Sequence, residues 1–311
     1  MKIYNNISEF KSDRKSVVTI GTFDGVHHGH QKILQRVVNR AQADNLTSVL
    51  LTFFPHPRMV LQPDHDLKLI NSIEERTELV KDQGIENMVI HPFSIEFSRT
   101  TAQEYVKEIL VDQLKASVVV IGYDHRFGRN RSASINELKE YASEYHFDII
   151  EISKEEVEEV AVSSTKVRQS LESGEIERAN RYLNRTYSLK GHVRSGKQIG
   201  RTIGYPTANL HVHQEYKLIP GNGVYITSSC INGKHFFGMT NIGVNPTIGN
   251  GNYRTIETYY LDFDGDLYDT SMELFFHKRL RDEKKFDTMQ ELVSAMDDDL
   301  KRTQDYARDD K

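Results

Sequence analysis

Strand-sized β-branched runs alternate with amphipathic stretches through the first half of the chain, and the alternation stops near Leu183. Runs at 17–20, 48–53, 88–91, 118–121 and 148–152 read as strands, with helical patterns at 30–43, 73–82, 102–112 and 135–144 between them. Strand–helix repeats at this spacing predict a parallel sheet with helices on both faces. Right-handed crossovers then carry the loop after each strand to one edge of the sheet. GTFDGVHHGH (21–30), TFFPHPR (52–58) and GYDHRFGRN (122–130) each follow a strand, so all three are expected at that edge.

Beyond a helical stretch at 175–182 the pattern changes to strands without helices between them, at 187–193, 224–231, 234–241, 255–263 and 272–276. Asn232-Gly233 is a strong two-residue hairpin signal, and Asp264-Gly265 is a further turn candidate. Such spacing predicts a small antiparallel barrel or sandwich, with one closing helix over 288–306. The chain has 311 residues, more than one core usually serves. The expected division is therefore 1–184 and 185–311, an α/β protein with a parallel-sheet half and a β-barrel half.

Charge and composition narrow the partners. A formal net charge of −5 argues against broad nucleic-acid binding, and no apolar run approaches the ~20 residues that span a bilayer. The first residues, MKIYNNISEFKSDRKS, lack the apolar core of a secretory signal. Cys230 is the single cysteine, so no internal disulfide forms, which fits a reducing cytoplasm. Small molecules are the expected partners, with no nucleic acid and no membrane; the oligomeric state is not legible.

His27, His28 and His30 lie within four positions. A metal centre would need converging ligands nearby, yet the one cysteine is remote and the pattern is not H-E-x-x-H. Two further readings stand beside that one from the residues alone, and both fit the pattern better. The histidines and Asp24 cap or decorate the first turn of a helix. Alternatively, the unpaired N–H groups and positive dipole end of that helix form an anion site to which imidazoles donate, with glycines admitting a close approach.

His27-His28-Gly29-His30 contains the H-x-G-H pattern of the nucleotidyltransferase superfamily. With FFPHPR, the GxDxxFG stretch 122–128 and SSTKVR at 163–168, in that order, it resembles the adenylyltransferase half of the prokaryotic bifunctional riboflavin kinase/FAD synthetases. The resemblance implies a Rossmann-like nucleotidyltransferase domain in which an FMN phosphate oxygen attacks the α-phosphorus of ATP. It assigns His27 and His30 to the ATP phosphates and the transition state, with His28 at the variable position. Gly21, Phe23, Asp24, His56 and Asp124 become contacts for ATP or FMN, and Ser164, Thr165 and Arg168 suit the departing pyrophosphate. His125 stands where the family commonly has phenylalanine.

In the second half, glycines at 191, 196, 200 and 204 punctuate GHVRSGKQIGRTIGYPTANL, without the Walker spacing. GYPTAN resembles the riboflavin-kinase motif, which implies that Thr207 and Asn209 bind Mg²⁺ and the ATP phosphates. A hydroxyl and an amide are hard oxygen donors of the kind Mg²⁺ prefers; without the resemblance, the segment reads as a turn leading into a strand. Gly196, Lys197 and Gly200 join the implied ATP site. Glu257 matches the family's catalytic base, and Asn241, Asn245 and Arg281 its flavin contacts; Arg281 with Asp282 reads equally as a solvated ion pair. Tyr259 and Asp269 depart from a common histidine and a common glycine.

The expected activity is bifunctional: riboflavin and ATP give FMN and ADP, then FMN and ATP give FAD and pyrophosphate, both with Mg²⁺. The alternative is an FMN adenylyltransferase whose barrel only binds flavin or regulates. A tRNA-synthetase-like relic with an RNA-binding barrel is disfavoured by the negative charge.

Overall fold

A computed structural model describes residues 1–122, 125–153, 162–195, 204–246 and 252–309. Contacts divide the chain into two units, Met1–Ser164 and Thr165–Lys311.

The first unit runs β1 (Lys2–Tyr4), β2 (Ser16–Ile20), α1 (His28–Ala43), β3 (Thr47–Phe53), α2 (Pro57–Leu61), α3 (Ile73–Asp82) and β4 (Asn87–His91). It continues with α4 (Ala102–Glu104), which leads straight into a π-helix (Tyr105–Gln113), then β5 (Ala116–Gly122), α5 (Ile135–Tyr145) and β6 (Asp148–Ile152). The sheet order is β1-β4-β3-β2-β5-β6, parallel throughout. Successive strands step one way from β2 to β4 and the other way from β5 to β6. The order therefore reverses beside β2, and the crevice outside the strand C-termini opens there.

Every residue of β2 and β3 is buried, as expected of strands covered on both faces. Val18, Ile20, Val49 and Leu51 pack with Val106 and Leu110 of the π-helix, while Val17 and Leu50 meet Leu34, Val37, Val38 and Ala41 of α1. Those α1 positions follow the 3–4 residue spacing of one helical stripe.

The unit boundary falls inside α6 (Ser164–Glu172), whose first residue closes the first unit; the second unit holds the rest of α6 and α7 (Ile176–Leu183). Its strands are β7 (Tyr187–Arg194), β8 (Ala208–His211), β9 (Gly223–Ile231), β10 (Lys234–Pro246), β11 (Asn252–Tyr260) and β12 (Ser271–Arg281), followed by α8 (Met289–Asp309). They close into a barrel in the order β10-β11-β8-β7-β12-β9, antiparallel throughout. Asn232 and Gly233 turn β9 into β10 with φ of +51° and +77°, the signature of the expected hairpin. Tyr187, Leu189, Tyr225, Leu274 and Phe276 fill the interior. Among them runs a buried hydroxyl ladder, Thr227–Thr240–Thr258, with oxygens 2.6 and 2.7 Å apart.

The elements differ from expectation in places. α1 starts at His28 rather than His30, and β10 continues to Pro246 because its polar end pairs with β11 residue by residue. β1, α2 and β8 are too short to show a period of their own. The expected boundary at 184/185 and the contact boundary at 164/165 differ because α7 packs on the barrel. Asn180 there donates to the Phe276 carbonyl and accepts from the Tyr187 N–H, each at 2.8 Å.

Candidate active sites

The first site grows from the turn after β2. Phe23, Gly25 and Val26 take φ of +47°, +88° and +38°, so the chain coils tightly before α1. His27 is the N-cap: its Nδ1 accepts the His30 N–H at 3.3 Å. In the neutral ring that acceptor role assigns the proton to Nε2, a hydrogen-bond donor. The His27 and His30 rings stack at 3.6 Å between centroids, with Phe23 4.7 Å from His30. The two end histidines of H-x-G-H are thus one pair at a helix start, with His28 in the first helical position between them. Gly29 belongs to this packing, since a Cβ there would press on the His27 ring at 3.3 Å.

Asp24 is buried and does not cap α1, contrary to one expectation. Its carboxylate accepts the Ile70 N–H at 3.0 Å and the Asn71 N–H at 3.2 Å, and lies 3.8 Å from the guanidinium of Arg76, itself fully buried. The segment it holds leads into α3, where Ser72 and Glu75 form a capping box. The Asp24 carbonyl accepts from Ser164 Oγ at 2.8 Å, so the turn is anchored through side chain and backbone alike. Thr165 and Arg168 follow on α6, exposed and half-buried respectively. His56 caps α2 by accepting the Arg58 N–H at 3.1 Å, and His125 stacks towards Phe127 at 6.1 Å. Gly21 is half-buried at the end of β2. Asp124 lies outside the described residues.

The second site lies on the outer face of the barrel. Register sets Asn241, Glu257, Asn209 and Arg194 directly opposite one another across β10, β11, β8 and β7. Paired residues share a face, so this is one polar row. Thr207 Oγ1 donates to Glu257 Oε2 at 3.4 Å, which brings two expected site residues into contact from 50 positions apart. A cavity of about 290 Å³ adjoins them, lined among others by Val193, Pro206, Thr207, Tyr259, Asp266 and Tyr268.

The departures at Tyr259 and Asp269 are accommodated. Tyr259 lines the cavity, and Asp269 takes the positive φ of +57° that glycine would supply, donating its N–H to the Val193 carbonyl at 3.0 Å. Asp is among the few side chains that tolerate this region. Arg281 does not form the expected solvated pair with the Asp282 carboxylate. Its guanidinium grips the buried Asp299 of α8 at 2.8 and 3.0 Å and reaches only the Asp282 carbonyl. Burial raises the Asp299 carboxyl against the opposing pull of Arg281. Asn245 stands opposite Tyr253 on β10, while Gly196, Lys197 and Gly200 lie outside the described residues. Sequence reasoning missed Arg76 behind the first site and Asp297 behind the second. Arg76 carried no signal beyond a charged residue in a helix, and Asp297 sits in an acidic run that reads as surface.

Sequence models assign the two halves separately: FAD synthetase matches residues 9–166 and riboflavin kinase residues 183–307. A bifunctional riboflavin kinase/FMN adenylyltransferase of Buchnera aphidicola is 34% identical over 98% of this chain and 99% of its own. The chain belongs to that bifunctional family. A Listeria monocytogenes member is 33% identical over 95% of this chain and 93% of its own. The fold recurs in the crystal structure of a macrolide-efflux protein from Streptococcus pneumoniae, at a TM-score of 0.89 and 31% identity, covering 97% of this chain and 98% of that one. Both catalytic halves of the bifunctional family are present, which favours two activities over an adenylyltransferase with a regulatory barrel.

Proposed function

We propose that the two family activities are carried by the two sites just described, with functional domains 1–184 and 185–311. In the first, FMN attacks the α-phosphorus of ATP and pyrophosphate leaves. No covalent enzyme intermediate is needed, so the work is positioning and stabilisation of spreading negative charge. His27 and His30 donate to phosphate oxygens at the start of α1, where the helix dipole adds to the field. Gly21, Phe23, His56 and Asp124 shape the nucleotide and flavin pocket, and Asp24 acts from behind by holding the turn. Ser164, Thr165 and Arg168 serve the leaving pyrophosphate.

In the second, Glu257 takes the proton of the riboflavin 5′-hydroxyl as that oxygen attacks the γ-phosphorus of ATP, the bond to the bridging oxygen breaks and ADP leaves. Thr207 and Asn209 hold the phosphates, with Gly196, Lys197 and Gly200 completing the nucleotide loop, and Asn241, Asn245 and Arg281 facing the flavin; for Arg281 this role shares the guanidinium with Asp299. Among the described residues no group of three or more His, Cys, Asp or Glu is arranged to hold a metal ion. The hydroxyl of Thr207 and the amide of Asn209 instead suit Mg²⁺ whose remaining ligands are phosphate and water oxygens. Bound there, Mg²⁺ would neutralise phosphate charge.

The observation that carries this reading is the contact of Thr207 with Glu257 on the row that also holds Asn209. Incubation with riboflavin, ATP and Mg²⁺, with flavins separated over time, is expected to give FMN and then FAD. FAD formed only when FMN is supplied would overturn the assignment of the barrel.

A further inference from the structure

The run Asp297-Asp298-Asp299 lies on α8, where consecutive carboxylates would ordinarily all face water. Two of the three are engaged by the barrel, Asp299 buried and Asp297 at the exposed rim. Asp299 holds Arg281 of β12, and Asp297 accepts a hydrogen bond from the hydroxyl of Tyr205. Tyr205 is 7% exposed, packs edge-on to Tyr259 at 5.0 Å, and clusters with Val224, Met239 and, from α8, Met296 and Leu300. It directly precedes Pro206 and Thr207, both in the cavity wall. Pro206 has a fixed φ and biases Tyr205 to extended backbone, so little slack separates the anchored ring from the Thr207 hydroxyl.

We propose that α8 is a clasp that positions Thr207 through the Tyr205–Asp297 hydrogen bond, so that the C-terminal helix sets how tightly the kinase half holds the triphosphate of its nucleotide. Tyr205 is a positioning residue, acting through the backbone of Pro206 and Thr207. The proposal rests on assigning Thr207 to the nucleotide phosphates. It predicts a dependence of binding on the clasp, because an interaction that aids substrate and transition state alike appears in KM rather than kcat.

The test is steady-state FMN formation by the full chain with ATP varied at saturating riboflavin and Mg²⁺. Tyr205→Phe, which keeps the ring and removes the hydrogen bond, is expected to raise KM for ATP about three- to ten-fold, with kcat within about two-fold. Asp297→Ala, on the exposed side of α8, should match it, and the double variant should be no worse than either alone. Asp297→Asn keeps an acceptor and should restore most of the affinity. FAD formation from FMN and ATP should stay at the wild-type rate in all four. A wild-type KM in both Tyr205→Phe and Asp297→Ala, with only a lowered melting temperature, would overturn the clasp. Thr207→Ala separates the two ideas. An unchanged KM there removes the phosphate assignment and the clasp with it, whereas a raised KM beside an unaffected Tyr205→Phe defeats the clasp alone.

Discussion

The two sites are assembled in opposite ways. The histidine pair of H-x-G-H comes from one stretch of chain, wound tightly at the reversal point of a parallel sheet and braced from behind by a buried carboxylate and guanidinium. The Thr207–Glu257 site is gathered from four strands by register, then backed by a helix whose aspartates lie far away in sequence. A contiguous site inherits its geometry from local backbone and needs only an anchor. A dispersed site depends on every strand pairing being correct.

The sharpest way to break this contrast is at the anchor. Arg76→Ala would leave Asp24 buried without its ion pair and is expected to cost about 3–5 kcal/mol. Calorimetry should show the loss in the transition of the first unit, and a change below 1 kcal/mol would mean that the N–H groups of Ile70 and Asn71 suffice. Next come the chemical groups themselves. His30→Ala should lower FAD formation by about 10²–10³-fold while FMN formation persists, and Glu257→Ala should do the reverse. Loss of both activities in a folded His30→Ala protein would contradict two independent sites.

Smaller still, Ser164→Ala removes one hydrogen bond to the turn and is expected to cost about 0.5–1.5 kcal/mol in denaturant unfolding. The smallest effect is a pH dependence. Burial lowers the pKa of His91 from 6.5, and its Nδ1 accepts the Ile7 N–H at 3.4 Å. The folded state therefore prefers the neutral ring. Its contribution is present above 6.5 and is lost as pH falls from there through the lowered value, because the unfolded chain takes up the proton first. His91→Gln, which retains an acceptor, should flatten that part of the stability profile measured by urea unfolding.

The same contrast explains what the sequence disclosed. The parallel sheet was legible because β2, β3 and β5 are rich in β-branched residues, and the histidine pair because its residues are neighbours. The barrel strands were legible less exactly, since β10 ends in GVNP, whose strand character comes from pairing with β11 rather than from its own side chains. Thr207, Asn209 and Glu257 were legible through a motif, but their contact is a product of register. Asp24 was ambiguous because capping α1 and anchoring the Ile70–Asn71 segment use the same acceptor chemistry. Asp297 and Asp299 were silent: only the closed barrel shows that Asp299 is buried against Arg281 and that the exposed Asp297 accepts from Tyr205.

The buried threonines of the barrel have a further consequence, in the direction of their protons. Thr227 Oγ1 donates to the Gly238 carbonyl, 3.3 Å away, and a hydroxyl has one proton to give. With that proton on the carbonyl, Thr227 accepts from Thr240 and Thr240 from Thr258; with it on Thr240 instead, the file runs the other way. The three hydroxyl dipoles are thus coupled and lie in file. Thr258 borders the cavity, so the direction of this file decides whether it meets an occupant as acceptor or as donor.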